Sequence, residues 1–400
     1  MGNYLYSKYL SRDMVGEDTC QLKHLKTLLD STKDLDREII EQFPISYFGD
    51  DNEILNLKGA KALIDSYDQI DSEKMDIVSK FSDIEFIGIN ERKQIFLNFT
   101  VDDDTIETHS MYDFYSDFLD EEFHIAKYIE YCVINNYNDL VEMNMESLLS
   151  RKDDIRQYRL LRDTDGTWGV RGKTSSDYKN YDNNVALYLS LLAFHKYTKE
   201  KGKKYHMSYS YVTDSSLYIF FEHEEPISIP EIGDIYLGLA ISNGEIRNYK
   251  FQAELRYRIV NKKNNSSFSA ISSNSVFSIF HRNNVVNLEK QIEKLYTLDV
   301  IEDEMISFIK SLNISENLSE DTLYSILKEL LDKLKVCSDI STKTKDEFKQ
   351  IEINNLIRGT YNLIDFFGRL RMIPTDVDEK IFIERIFHKV ILDLKDSRNN

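Results

Sequence analysis

The segment at residues 250–260 (KFQAELRYRIV) constrains the fold most, because its polar and apolar side chains alternate almost perfectly. Successive side chains of a β-strand point to opposite faces of a sheet, so the alternation predicts a strand with one buried and one solvated face. The buried face would carry Phe251, Ala253, Leu255, Tyr257 and Ile259. The solvated face would carry Lys250, Gln252, Glu254, Arg256 and Arg258.

Other segments of the middle third also predict strands, with turn signals at Asp165-Gly166 and Asp214-Ser215. These strands are expected at residues 157–163, 203–214, 215–224 and 234–244. Residues 183–202 interrupt them with a helical pattern that is apolar nearly all round between Val185 and Phe194. We expect this helix to be the one against which the sheet packs.

The flanking thirds differ from the middle. Residues 1–150 combine helical patterns near 22–29 and 112–149 with a hairpin whose strands are 84–90 and 94–101. After about residue 285 the strand patterns stop, and helices are expected near 286–312, 319–335, 344–367 and 378–395. The predicted fold class is α+β. Its domains are a mixed N-terminal domain (1–150), a central domain with an antiparallel sheet (151–285) and a C-terminal helical bundle (286–400).

Charge is spread unevenly over these thirds. The 400-residue chain carries a formal net charge of −19. Residues 1–150 hold 13 basic and 32 acidic side chains, whereas residues 151–285 hold 20 and 15, and residues 286–400 hold 17 and 22. The middle third is therefore a basic segment between two acidic ones, which suggests different partners for different parts of the chain.

The cysteines and the hydropathy pattern indicate the cellular compartment in which the protein is expected. Cys20, Cys132 and Cys337 lie more than a hundred residues apart, which fits neither a disulfide framework nor a zinc site. No run of residues approaches the ~18 apolar residues of a membrane span, and the first residues lack the apolar stretch of a signal peptide. We expect a soluble cytoplasmic protein with no membrane partner.

Motifs of catalysis and metal binding are weak throughout. The acidic run Asp102–Asp104 points in several directions, and the turn at Asp163 lacks the glycine and glutamate of a calcium loop. Glu222 and Glu224 flank His223, but no second histidine follows at helical spacing. The sequence thus predicts no enzyme, no cofactor and no metal, although an active site assembled from scattered residues would escape such a search.

Basic residues of the middle third suggest a surface for nucleic acid. Phosphates attract arginine and lysine, and neighbouring aromatic rings can stack on bases. The candidates are Arg156, Arg159, Arg162, Lys250, Arg256 and Arg258. The alternative is an ordinary solvated face whose charges pair with the acidic flanking segments.

Three blocks of the middle third resemble a known family in order and spacing. They are IRQYRLLRD, SYSYVTDSSLYIFF and GDIYLGLAISNGEIRNYKFQAELRYRIVN. Over about residues 155–265 the chain resembles the phage/plasmid-like proteins that carry domain of unknown function 932. The resemblance implies an origin in a phage, prophage or plasmid, and it brings no catalytic residues. If its motif is functional, the candidates are Ser242, Asn243 and Glu245; the alternative is a tight turn at a strand end.

Two hypotheses about function remain. In the first, the protein is an accessory protein of a mobile element that binds a host protein, for instance to block a host defence factor, and the acidic N-terminal segment is its working surface. In the second, it binds single-stranded nucleic acid during replication or recombination of the element. Net charge favours the first hypothesis. Self-association into a homo-oligomer is open in both.

Overall fold

Two β-sheets organise the chain. A computed structural model describes residues 4–246, 250–312, 314–350, 362–373 and 375–399. The larger sheet has the order β1-β8-β9-β11-β12-β13, with β10 paired to β11, and all of its pairings are antiparallel. Its strands are β1 (Ser7–Ser11), β8 (Tyr205–Thr213), β9 (Ser216–His223), β10 (Ile227–Ile229), β11 (Gly233–Gly244), β12 (Phe251–Val260) and β13 (Ser267–Ile279).

The second sheet has the order β2-β6-β7-β5-β4-β3. Its strands are β2 (Lys74–Lys80), β3 (Ile84–Ile89), β4 (Ile95–Val101), β5 (Asp104–Ser110), β6 (Ile155–Arg162) and β7 (Trp168–Ser175). Only the β5–β7 pair is parallel among these described strands. The predicted domain boundary after residue 150 lies between β5 and β6, so strands from both sides of it share one sheet.

Helices fill the space around the sheets. Before the C-terminal third they are α1 (Arg12–Val15), α2 (Asp34–Gln42), α3 (Ala60–Ile70), α4 (Phe114–Ser116), α5 (Ala126–Ile134), α6 (Asn138–Leu149) and α7 (Asn183–Lys201). The prediction of a helix at 183–202 is confirmed by α7, which is buried on nearly every side. Its Phe194 ring contacts Phe221 of β9 with centroids 5.2 Å apart, so α7 packs on one face of the larger sheet.

The C-terminal third is helical, as predicted. It comprises α8 (Leu288–Ile292), α9 (Leu298–Ser311), α10 (Glu320–Val336), α11 (Thr342–Lys349), α12 (Leu363–Leu370) and α13 (Val377–Asn399). Part of the helix expected at 344–367 lies outside the described residues. Ser319 caps α10 by accepting a hydrogen bond from the backbone N–H of Thr322. Among the described residues, no helix is long and apolar enough to span a membrane.

Helix α13 changes the environment of β12. It packs against the edge strand β13, and its Glu384 and Arg385 reach the polar face of β12, where they pair with Arg256 and Glu254. Only 3% of Arg256 and 5% of Glu254 is exposed. The alternation of β12 was interpreted correctly, but the expected solvated face is wrong. A strand pattern reports which side chains share a face and does not reveal that a distant helix covers it.

The local predictions of hairpins are confirmed. Strands β3 and β4 pair antiparallel around residues 90–94, and β8 pairs with β9 around Asp214-Ser215. Strand β13 was not expected, because its sequence SFSAISSNSVFSI is rich in serine, which is more typical of turns. The fold as a whole is α+β, as the sequence indicated.

Candidate functional site

Two of the predicted basic residues belong to a buried ion cluster on the larger sheet. The guanidinium of Arg256 binds Glu384 through Nε (2.6 Å) and Nη2 (2.9 Å), and its Nη1 donates to Glu222. Arg258 donates to the same Glu222, with Nη2 2.9 Å from Oε2. We call Glu222, Arg256, Arg258 and Glu384 the sheet-face cluster. Burial raises the pKa of Glu222, but Arg256 and Arg258 outweigh it and bring that pKa down to about 2.

The other predicted basic residues lie elsewhere. Arg159 is fully buried, whereas Arg156 binds Glu122 at 3.3 Å on the second sheet. Arg162 stacks over Trp168, 4.8 Å from the ring centroid, and Lys250 lies 4.3 Å from the ring centroid of Phe280.

These placements correct the prediction of a basic surface for nucleic acid. Arg159 and Arg256 are inside the protein, and Arg156 and Arg258 already bind carboxylates. An arginine committed to a buried carboxylate would have to break that pair before it could bind a phosphate, which costs several kcal/mol. The structure therefore brings Arg256 and Arg258 together but does not form one exposed patch with the remaining candidates.

The motif residues at the end of β11 lie where the two sheets meet. Glu245 is completely buried and binds Lys74 of β2 (3.0 Å) and Arg171 of β7 (2.7 Å). It also accepts a hydrogen bond from the backbone N–H of Asn183 at 3.0 Å. Asn243 is buried and donates to the carbonyl oxygen of Tyr181, at 3.0 Å.

Arg159 completes this second cluster. It binds Asp182 through both terminal nitrogens (2.8 and 2.7 Å), Asp76 through Nε (2.8 Å), and the backbone oxygen of Glu245 (2.7 Å). We call Lys74, Asp76, Arg159, Arg171, Asp182 and Glu245 the inter-sheet cluster. Burial raises the pKa of Asp182, but Arg159 outweighs burial and holds that pKa below its ordinary value. Three cations thus face three carboxylates, and the cluster joins β2, β6 and β7 to β11 and α7.

Ser242 takes no part in the ion pairs, although it is also buried. The motif Ser242, Asn243 and Glu245 is therefore more than a tight turn, because two of its members connect different parts of the fold. The Glu245 partner Lys74 is 171 positions away in the sequence, and no local pattern could have revealed that contact.

An exposed apolar surface lies on the second sheet's helices. Five large side chains of α5, α6 and the connecting turn are at least 40% exposed, namely Tyr128, Tyr131, Ile134, Tyr137 and Met143. Tyr131 and Tyr137 have their ring centroids 6.2 Å apart, so the turn between the helices presents adjacent aromatic rings. We call these five residues the α5–α6 surface. A set of neighbouring exposed apolar side chains is typical of an interaction site.

A groove lies between the same two helices and the β3–β4 hairpin. It has a volume of about 230 Å³ and is lined by Ile87 of β3, Val133 of α5 and Val141 and Glu142 of α6, among others. Ile87 is itself 46% exposed. Residues 112–149, which contain both helices, hold nine acidic side chains and a single lysine, Lys127. The surface is therefore apolar and lies in an acidic segment, in which Glu121, Glu122 and Glu130 form ion pairs with basic residues from outside it.

The sequence had indicated helices at 112–149 but not this surface. Tyr128, Tyr131 and Ile134 are among the apolar positions of that helical pattern, and the structure leaves them exposed. The available signal was the pattern of α5 (AKYIEYCVI), whose apolar side chains lie on more than one side of the helix, so packing one face leaves others exposed. The acidic N-terminal segment was nevertheless the predicted working surface of the protein-binding hypothesis.

Neither metal ligands nor known relatives identify the site. Within the described residues, no group of three or more His, Cys, Asp or Glu side chains is placed to hold a metal ion. No family model, no curated protein and no solved structure matches this chain. The resemblance to the phage/plasmid-like family stays a prediction, and the function must be argued from the surfaces themselves.

Proposed function

We propose that this protein acts by binding another protein through the α5–α6 surface, and that its partner presents basic and apolar side chains. The observation that carries the proposal is the group of exposed tyrosine, isoleucine and methionine side chains within a strongly acidic segment. Aromatic residues and methionine are enriched at protein interfaces, and a few such anchors supply most of the binding energy.

Charge supports a basic partner. The acids of residues 112–149 outnumber the bases nine to one, and exposed Asp139 and Glu142 lie at the start of α6, beside Tyr137. A surface of this sign accelerates the approach of a positively charged partner and repels nucleic acid. Lys152, Arg156 and Lys173 of the middle third pair with Glu121 and Glu122, so the attraction must come from the other acids of the segment, such as Asp139 and Glu142.

The resemblance supplies the biological setting of the proposal. A phage, prophage or plasmid protein with an acidic, aromatic docking surface is suited to engage a host protein that normally handles nucleic acid, since such proteins carry basic surfaces. We therefore propose an accessory role in which the chain occupies a basic surface of a host protein, for example of a defence factor.

Affinity capture with matched variants tests the proposal. The wild-type protein is immobilised, host proteins that it retains are identified, and each is purified for a binding titration. Tyr131→Lys with Ile134→Lys should weaken the binding of the true partner at least tenfold, because two exposed anchors are lost and two positive charges face a basic partner. Binding should also weaken between about 50 and 300 mM salt, since the Debye length shortens.

The matched control places the same changes on another helix. Tyr324 and Val336 of α10 are 50% and 82% exposed, so Tyr324→Lys with Val336→Lys alters a similar amount of exposed apolar surface. The control variant should bind like the wild type. Equal loss of binding in both variants, or a partner that binds the α5–α6 variant as well as the wild type, would contradict the proposal.

A further inference from the structure

A polar pocket opens on the face of the larger sheet that carries the sheet-face cluster. Its volume is about 250 Å³, and its walls come from β1, α1, β8, β9, β12, the end of α12 and the start of α13. Half of the ten described lining residues are cationic: Arg12, Arg256, Arg258, Arg371 and Lys380. Among these described residues Glu222 is the one acid, so positive charge is in excess.

The excess comes from three cations without carboxylate partners. Glu222 and Glu384 neutralise Arg256 and Arg258. In the described part of the chain, Arg12, Arg371 and Lys380 form no ion pair. Arg371 donates through Nη1 to the hydroxyl of Ser267 at 2.6 Å, and Lys380 lies with Nζ 4.0 Å from the ring centroid of Tyr209. Three positive charges around one concavity repel each other unless an anion lies between them.

Two neutral hydrogen-bonding groups in the pocket wall also lack partners. His206 is 3% exposed and Tyr209 is 5% exposed, and neither ring nitrogen of His206 nor the hydroxyl of Tyr209 has a hydrogen-bond partner among the residues described. A buried polar group without a partner is costly, and native proteins satisfy nearly all of them. Burial lowers the pKa of His206 to about 4, so at neutral pH the ring keeps one N–H to donate.

The lysine of the pocket responds to the same environment. Burial, together with Arg256 and Arg371, lowers the pKa of Lys380 to about 8, although Glu384 opposes this change. A bound anion would favour the charged form of this amine.

We propose that this pocket binds a phosphate group carried by a small phosphate ester or by the end of a nucleic-acid strand. Three unpaired cations and two unpaired neutral donors match the charge and the several acceptor oxygens of a phosphomonoester better than the two oxygens of a singly charged carboxylate. Tyr9 is exposed at the wall of the pocket and offers its ring to a planar group attached to the phosphate. This binding site is separate from the α5–α6 surface and does not depend on the protein partner.

Isothermal titration of the full-length protein at low ionic strength tests the site. The ligands are inorganic phosphate, a nucleoside monophosphate, the matching nucleoside, and a short single-stranded oligonucleotide with or without a 5′-phosphate. We expect the phosphorylated compounds to bind and the nucleoside not to bind. Tighter binding of the monophosphate than of the 5′-phosphorylated strand assigns the pocket to a small molecule, and the reverse order assigns it to a strand end.

Matched variants connect the binding to the pocket. Lys380→Met should weaken phosphate binding about tenfold or more, because a charge-assisted hydrogen bond is lost. Lys389→Met changes an exposed lysine of the same helix and should leave binding unchanged. The proposal is overturned if no phosphorylated ligand binds the folded protein. It is also overturned if the 5′-phosphate does not change the affinity for the oligonucleotide and the monophosphate binds no better than its nucleoside. A third contradicting result is that Lys389→Met weakens binding as much as Lys380→Met.

Discussion

The two buried ion clusters use the same chemistry for different purposes. In the inter-sheet cluster three cations face three carboxylates, and Glu245, fully buried, is held by Lys74, Arg171 and a backbone N–H. The sheet-face cluster is also balanced within itself, but Arg12, Arg371 and Lys380 lie around it and form no ion pair with any residue that the structure describes. The first arrangement is balanced in charge, although Nε and Nη2 of Arg171 lack hydrogen-bond partners among the described residues, and the second has an excess of positive charge. Burial and pairing alone therefore do not identify a binding site; an unbalanced charge beside a pocket does.

The charge of Glu245 offers the strongest test of this contrast. Glu245→Gln keeps the shape but leaves Lys74 and Arg171 without their buried carboxylate, so we expect a loss of about 3–5 kcal/mol in the free energy of unfolding. Glu384→Gln should cost less, about 1–3 kcal/mol, because Arg256 still binds Glu222. Chemical denaturation measures both changes.

Ligand binding sharpens the same comparison. Glu384→Gln adds to the positive excess at the pocket and should tighten phosphate binding several-fold, whereas Glu245→Gln should leave it unchanged. Glu225→Gln, at an exposed position after β9, is the control and should change stability by less than about 0.5 kcal/mol. A larger loss of stability in Glu384→Gln than in Glu245→Gln would reverse the assignment of the structural cluster.

Two tyrosine hydroxyls give a test of intermediate size. Tyr112 donates to Asp214 at 2.7 Å beside the inter-sheet cluster, whereas the buried hydroxyl of Tyr209 has no partner in the described chain. Tyr112→Phe should therefore lower the free energy of unfolding by about 1.5–3 kcal/mol, since the lost hydrogen bond goes to a charged group. Tyr209→Phe should leave stability unchanged or raise it slightly, and should weaken phosphate binding. Urea denaturation and titration of each variant measure these effects, and a destabilised Tyr209→Phe would show that the hydroxyl serves the fold.

How far the sequence could foresee these clusters depends on distance along the chain. The hairpins, α7 and the α+β class follow from local periodicity, and the alternation of β12 correctly places Arg256 and Arg258 on one face. What covers that face could not be foreseen, because Glu384 lies 128 positions from Arg256. A charged residue on a strand looks the same in a sequence whether water or a buried carboxylate faces it.

The motif at the end of β11 shows the same limit of sequence-based prediction. Asn243 and Glu245 stood out because of a resemblance, and their local pattern suggested only a turn. Their contacts with Tyr181, Asn183, Lys74 and Arg171 come from three other parts of the chain. Only a folded structure brings these parts together, so sequence reasoning could mark the residues but not their role.

Buried imidazoles provide the smallest and last test of the contrast. Burial lowers the pKa of His206 in the pocket and of His281 near the inter-sheet cluster to about 4 each. The unfolded chain binds protons at about pH 6.5, so each folded imidazole contributes stability that is present above pH 6.5 and is lost as the pH falls toward 4. Between pH 7 and pH 5 each imidazole should lower the free energy of unfolding by about 1–2 kcal/mol. His206→Gln and His281→Gln should each remove the contribution of one imidazole to this loss.

Sulfate, which keeps two charges over this range, separates the two imidazoles. A dianion in the pocket would stabilise protonated His206, so saturating sulfate should flatten the pH dependence of unfolding in the wild type and in His281→Gln. It should have no such effect in His206→Gln. His281 stacks on Tyr178 with ring centroids 4.6 Å apart and is not among the described lining residues of the pocket, so its contribution to the pH dependence should remain. If sulfate flattens the pH dependence equally in all three proteins, the ion acts generally on the folded state and the pocket does not bind anions selectively.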